Sequence, residues 1–342
     1  MKNKKRYLQM LFLLFLIIGT VIIIRQQRST PYQKDSGFVF GTVYNITYQS
    51  STNLKNEIEA ELKKVDNALS MFNQQSIISK VNQGATTIPQ TDEGRMFEEV
   101  VSMALNISKE TEGAFDITVA PLVNAWGFGF KQGITPTPQQ IDSIRQYIGY
   151  ENIKLDSHKH VLNTLKANIQ LDCSAIAKGY GSDVVAHLLR RKDIKNFMVE
   201  IGGEVVTSGI SEKRIPWRIG VTKPTDDTLN VNHELQTVLN VTDRSMATSG
   251  NYRNFYYKGG KKYAHTIDPK TGRPVQHNIL SATVLANDCA TADAYATSFM
   301  VMGLDGTKRI LDKHSELMAY LIYTDKQGNY AVWYSPSLKM EE

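Results

Sequence analysis

The stretch from Asn287 to Met300 constrains this chain more than any other. It is rich in alanine, reads as a helix, and directly follows the strand-like run Ser281 to Ala286. Asp293 and Thr297 stand four positions apart, so a helix sets a carboxylate and a hydroxyl one above the other on a single face, with only small alanines beside them. Such an oxygen-only pair suits Mg²⁺, a hard cation usually held by one or two protein groups together with waters and substrate phosphates. A plainer reading is open at this point. Thr291 would cap the helix, Asp293 would complement the dipole of its first turn, and Thr297 would pack against its neighbours.

Residues 1–31 are unlike the rest. Lys2, Lys4, Lys5 and Arg6 precede an apolar run from Met10 to Ile24, interrupted only by Gly19 and Thr20. This is export or anchoring machinery, not fold. No small residues follow the run to offer a cleavage site, and no cysteine lies there for lipid attachment. An uncleaved anchor is the expectation, with the basic cluster on the cytoplasmic side and the body outside, although Arg25 and Arg28 reduce that asymmetry.

Residues 32–342 have the length and composition of one large globular domain. Much of the net charge of +5 comes from the N-terminal cluster, and the body alone is near neutral. A nucleic-acid partner therefore loses its electrostatic support. Cys173 and Cys289 are the two cysteines. They are too few for a disulfide framework and read as buried thiols, with a single bridge still open.

Taken in order, Tyr32 to Ser36 reads as a polar linker and Phe38 to Tyr48 as a half-buried strand. Helical periodicity runs from Asn53 to Leu69 and from Thr91 to Thr111. A shorter helix from Thr137 to Ile148 has Thr137 as N-cap and Pro138 at its first position. Ile153 to Asp156 with Val161 to Asn163 reads as a hairpin. The run Phe197 to Gly209 is a strand broken at Gly202-Gly203, and Trp217 to Val221 is another. Met246 to Tyr257 combines turn residues with tyrosines, and Lys258 to Lys261 is a hairpin turn. Leu317 to Tyr323 and Tyr330 to Tyr334 form a closing hairpin. Strands and helices mix without regular alternation, which predicts an α+β fold with largely antiparallel sheets and packed helices.

Three further stretches suggest chemistry. Trp126-Gly127-Phe128-Gly129 alternates aromatics with glycines, a pattern that lets backbone approach a flat ligand while the rings stack on it, or that simply packs a loop. Asp172 through Gly179 is a strand entering a helix through small residues, a candidate phosphate cradle with Lys178 as a point charge. It lacks the glycine spacing of a P-loop or dinucleotide fingerprint. His265, three residues before the tight turn at Asp268-Pro269, is either an ordinary loop histidine or a general base.

Seven motifs in this order resemble the ApbE family of FAD:protein FMN transferases. They are Leu69-Ser70-Met71-Phe72; Gly113 to Thr118 with Pro121 to Asn124 and Trp126 to Gly129; Asp172 to Tyr180; Gly202-Gly203; Thr248 to Arg253; His265 to Pro274; and Ala292 to Thr297. The likeness covers about Phe38 to the C-terminus. It implies an exported enzyme that splits FAD, attaches FMN through a phosphoester to a threonine or serine of an acceptor flavoprotein, and releases AMP. It also implies Mg²⁺ on Asp293, Thr297 and the Ala175 carbonyl. Flavin contacts would fall at Phe40, Phe72, Ala125, Trp126, Gly127, Asp172, Lys178 and Ile267. With the anchor, this places the enzyme at a bacterial cell membrane, its catalytic body on the periplasmic or extracytoplasmic side.

On that reading His265 is the base for the acceptor hydroxyl, Arg253 a phosphate contact, and Phe72, Trp126 and Tyr252 the walls of the flavin or adenine pocket. The chain departs from the family in lacking a lipid-attachment cysteine, and in the absence of acidic residues from Gln75 to Ser79. Two other functions share the same residues: an FAD pyrophosphatase that uses water as acceptor, and a membrane-tethered FAD-binding protein without turnover. The Asp293/Thr297 pair argues against the last, because flavin binding alone requires no metal at the diphosphate.

Overall fold

The computed structural model of the chain describes residues 2–129, 135–225, 234–252 and 254–338. Helices form where the apolar spacing places them. Helix α1 covers Lys2–Ser29, and its 20-residue core Arg6–Arg25 is long and apolar enough to cross a membrane. Then follow α2 (Lys55–Leu69), α3 (Ile77–Asn82) and α4 (Asp92–Glu110, capped by Thr91). The short α5 (Ala120–Ala125) precedes α6 (Pro138–Arg145), where Thr137 and Gln140 close a capping box. The last two are α7 (Ser174–Arg191) and α8 (Cys289–Leu311). Asp288, not Thr291, caps α8, accepting the Thr291 N–H.

Eight strands form the main sheet: β1 (Tyr32–Val39), β2 (Thr42–Gln49), β3 (Phe197–Ile201), β4 (Glu204–Ser208), β5 (Ser245–Gly250), β6 (Ile279–Ala286), β7 (Met318–Thr324) and β8 (Tyr330–Tyr334). Their order in space is their order in the chain, and every neighbouring pair is antiparallel. The α+β class with antiparallel pairing thus holds, as a meander whose helices are insertions between strands.

Side chains of β5 to β7 alternate between two cores. Ala247, Ala282, Val284, Ala319 and Leu321 pack with α8 and its neighbours, whereas Met246, Leu285, Tyr320 and Ile322 pack with Val221, Leu239 and Val241. The latter three belong to a separate hairpin, Trp217–Thr222 with Leu235–Val241. Both faces of β6 are therefore covered, which is why its sequence is almost uniformly apolar.

Two expectations are corrected. Tyr32 to Ser36 is not a linker: it is the first half of β1, and the single strand expected from Phe38 to Tyr48 is a hairpin that turns at Phe40 and Gly41, both with positive φ. Its polar residues are those of an edge strand. Ser245–Gly250, expected as part of a turn-rich segment, is a central strand between β4 and β6. Ala247 packs in the core with α8 and Ser249 shares a hydrogen bond with Thr297 of that helix, while Thr248 pairs its hydroxyl with Thr283 across the sheet. Cys173 and Cys289 are buried and unbonded.

Candidate functional site

A cleft of about 410 Å³ opens where α7, α8, β4 and β5 meet the loops Met71-Phe72, 114–129 and 265–269. Its floor is set by how closely the two helices approach. A methyl group built on Gly179 would lie 2.3 Å from the Cys289 carbonyl oxygen. With only hydrogen there, the Gly179 N–H donates to Asp293 Oδ2 at 3.1 Å. That N–H is the donor which helix geometry directs at the Ala175 carbonyl. Thr297 Oγ1, one turn beyond Asp293, shares a hydrogen bond of 3.1 Å with Ser249 Oγ.

Lys178 stands between two carboxylates. Its Nζ donates to Glu204 Oε1 at 2.9 Å and lies 3.6 Å from Asp293 Oδ2. Burial works against the ammonium, but Asp293 and Glu204 outweigh it and hold the lysine above its ordinary pKa. Burial pushes the Glu204 carboxyl upward, opposed by Lys178 and reinforced by Asp293. Glu204 Oε2 is buried and lacks a hydrogen-bond partner. One ammonium thus faces two carboxylates, leaving capacity for a further cation.

Asp172 is buried, which raises its pKa, while its Oδ1 accepts the Ser174 N–H at 2.8 Å. The first turn of α7 is consequently a poor phosphate cradle. The Ser174 N–H is taken by Asp172, and those of Ile176 and Ala177 by the Cys173 carbonyl. Positive charge at this end of the cleft comes from Lys178 instead.

His265 lies on the opposite side. Its Nδ1 is 3.3 Å from the Asn254 carbonyl oxygen, which can only accept, so the bond puts a proton on Nδ1 and leaves Nε2 with a free lone pair. Burial lowers its pKa below the ordinary histidine value and Lys178 adds to the shift, against the Asn254 bond. The imidazole is therefore neutral at neutral pH.

Of the residues singled out in the sequence, Phe72, Asp172, Ala175, Lys178, His265, Ile267, Asp293 and Thr297 line this one cleft. Phe72 stands at its mouth, 71% exposed. Phe40, Ala125, Trp126 and Gly127 are not among its lining residues. Phe40 lies over Gly181, where a methyl would come within 2.6 Å of the ring. Trp126 is buried behind the wall, where it stacks on Tyr263 at 5.6 Å and donates its Nε1–H to the Gly272 carbonyl. The rings of this loop that line the cleft are Phe128 and the more deeply buried Phe115. Tyr252 is buried beneath Gly250, and Arg253 lies outside the described residues.

Sequence reasoning missed Glu204 and Asp116. The Asp116 carboxylate ties its loop down by accepting from the Thr118 N–H and hydroxyl and the Tyr150 N–H. The local cue to Glu204 is slight, an acidic residue opening a strand that otherwise buries only valine and threonine, and nothing local points to its partner.

A family model, the ApbE family, matches residues 40–322. The chain belongs to the ApbE family. It is 36% identical over 310 residues to the FAD:protein FMN transferase of Haemophilus influenzae, covering 87% of this chain and 89% of the relative. With the protein of the same name from Vibrio cholerae it shares 37% identity over 301 residues, 85% of this chain and 87% of the relative. Among solved structures, the flavin transferase ApbE from Vibrio cholerae superposes with a TM-score of 0.79 at 34% identity, covering 90% of this chain and 98% of that one. The cleft is formed within the ApbE match: every lining residue falls between Met71 and Thr297.

Proposed function

We propose that this ApbE-family chain is a Mg²⁺-dependent FAD:protein FMN transferase. It cleaves the FAD diphosphate and places FMN, through a phosphoester, on a threonine or serine hydroxyl of an exported acceptor protein. The observation that carries the reading is the convergence, in one cleft, of an oxygen donor set on α7 and α8, a fixed ammonium and a neutral histidine.

The residues fit the metal. The donors are all oxygen, and the unpartnered Glu204 Oε2 marks a cleft with more negative than positive charge. Among the described residues no three His, Cys, Asp or Glu side chains cluster to hold a metal ion. Hydroxyl, carbonyl and water donors must therefore complete the set, as Mg²⁺ tolerates. Asp293, Thr297 and the Ala175 carbonyl are the groups that would hold it, and when bound it neutralises charge developing on the diphosphate.

The remaining work falls to the chain's own side chains. Phe72 and Phe128 offer aromatic faces for the flat ends of FAD. Lys178 binds a diphosphate oxygen. His265 Nε2 takes the proton of the acceptor hydroxyl as its oxygen forms a bond to the FMN phosphorus. The bond from that phosphorus to the bridging oxygen breaks, and AMP leaves with the electron pair. Alignment and removal of one proton are all the protein must supply beyond charge stabilisation.

Helix α1 is read as an anchor that keeps the body at the membrane on its extracytoplasmic side. The test incubates the full chain with FAD, Mg²⁺ and an exported acceptor domain carrying a threonine flavinylation motif. Acceptor mass and AMP are read together, with and without chelator. A gain of one FMN on threonine, lost with chelator, supports the transferase. AMP and free FMN beside a panel of unmodified acceptors would replace it with the hydrolase. Protease protection of the body in sealed spheroplasts, with the outer membrane opened, would overturn the extracytoplasmic placement.

A further inference from the structure

We propose that Glu204 is a positioning residue for Lys178: it holds the ammonium at the cleft floor, aimed at the FAD diphosphate and kept from collapsing on to Asp293. This rests on the reading that FAD binds in the cleft.

The distances decide which carboxylate owns the lysine. Glu204 Oε1 is at 2.9 Å, within a charge-assisted hydrogen bond, and Asp293 Oδ2 is at 3.6 Å, outside one. Without Glu204, Asp293, the residue proposed to hold the metal, would be the only carboxylate among the described residues within ion-pair distance of Lys178. The ammonium and the metal would then compete for one group.

The surrounding structure is built for this arrangement. Gly202 has φ of +66°, and a methyl group there would meet Lys178 Cδ at 3.2 Å and Thr42 Cγ2 at 2.8 Å. The lysine stem therefore runs past a position where any side chain would push it aside. Two residues on, the chain supplies the carboxylate that takes its head. Ser182 Oγ then donates to the backbone carbonyls of both Lys178 and Glu204, at 3.2 and 3.3 Å, and so fixes α7 against the start of β4. Gly202 and Gly203 turn the β3–β4 hairpin with positive φ, and the turn leaves room for the lysine stem before Glu204 takes its charge. Glu204 Oε2 is buried with no hydrogen-bond partner, so the strongest contact of this carboxylate is the one its Oε1 makes with Lys178.

The experiment reads FAD affinity of the full chain in chelator by quenching of flavin fluorescence, at about pH 8 so that the carboxylate is ionised. The variant is Glu204→Gln, which keeps the shape and loses the charge. Its sign is diagnostic. If Glu204 acted only through its field, removing a negative charge beside a diphosphate would tighten binding. Positioning through Lys178 predicts the opposite, a rise in Kd of about tenfold.

In a Lys178→Met background the same substitution should no longer weaken binding, since the group it positions is gone. Glu204→Asp, which keeps the charge but draws it back by one methylene, should weaken binding by about threefold, and it serves as the variant if Glu204→Gln does not fold. Unchanged or tighter binding in Glu204→Gln, or in Glu204→Asp when that variant stands in, overturns the proposal. So does an equal loss in the Lys178→Met background. Failure of the unsubstituted chain to bind FAD at all would instead overturn the function on which the proposal rests.

Discussion

The Gly179 N–H and the Asp293 carboxylate meet at 3.1 Å because α7 and α8 touch backbone to backbone at that point. A buried carboxylate at the end of a short aspartate stem is held by an amide that has no side chain in the way. The metal site proposed for Asp293 therefore depends on a packing contact, and the packing contact depends on one missing methyl group.

Gly179→Ala tests that dependence. Its added carbon would lie 2.3 Å from the Cys289 carbonyl oxygen and 2.9 Å from Ala290 Cα, both backbone atoms that cannot swing aside. The helices must separate, so stability should fall by about 1–3 kcal/mol in denaturant unfolding. The Mg²⁺ titration should weaken in parallel. Wild-type stability in the variant would mean that the helices are not in contact here.

Asp293→Asn keeps the volume and removes the charge. AMP formation should drop by about 100-fold or more, and calorimetric Mg²⁺ binding should vanish, while FAD binding in chelator survives because Lys178 remains paired with Glu204. Chelator should bring the unsubstituted enzyme to the same low rate. Persistence of Mg²⁺-dependent turnover in Asp293→Asn would place the metal elsewhere.

Much of this could be read from the sequence, and the part that could not has a physical reason. The Asp293/Thr297 spacing is local: helix geometry alone stacks the two groups, so their residue types and separation sufficed. The cap at Thr137 was legible for the same reason. Glu204 was not, because its partner is 26 positions away on a different element and nothing local shows that they meet. Ser245–Gly250 was not read as a strand because its small polar residues resemble a turn, whereas their partners, Thr283 for Thr248 and Thr297 for Ser249, lie far along the chain. That Trp126 lies behind the cleft wall was not legible, because alternation of aromatics and glycines does not say which ring lines the cleft. That is decided by Tyr263 and Gly272, far along the chain.

The pH dependence should carry the signature of His265. As the proposed base His265 would work only when neutral, and burial holds its pKa below the ordinary histidine value of ~6.5. Activity should therefore be full at neutral pH and fall only on the acid side, through a midpoint under that value. The same shift bears on stability. The unfolded chain takes up the proton first, so this group's contribution is intact above about 6.5 and is lost as pH falls through the folded pKa. His265→Asn should lose most of the transfer rate and flatten the acid limb, measured as FMN incorporation against pH. A limb that survives in His265→Asn belongs to another group.

Trp126 and Phe128, two residues apart in one loop, should separate stability from binding. Trp126 is 3% exposed and belongs to an aromatic ladder in which it stacks on Tyr263, Tyr263 on Tyr256, and Tyr256 on Phe128, at 5.6, 5.4 and 5.3 Å. Its Nε1–H also satisfies the Gly272 carbonyl. Trp126→Ala removes the buried end of that ladder and leaves an acceptor unpaired, a change of the kind that costs about 3–5 kcal/mol. Phe128 is the end of the ladder that lines the cleft. Phe128→Ala should cost less than about 2 kcal/mol, because the ring is only partly buried, yet it should weaken FAD binding by about tenfold through loss of an aromatic face. Denaturant midpoints and flavin quenching on the two variants give both numbers from the same samples. If Trp126→Ala folds normally and loses FAD while Phe128→Ala binds as before, the wall has been assigned to the wrong ring, and the loop must turn Trp126 into the cleft when FAD is bound.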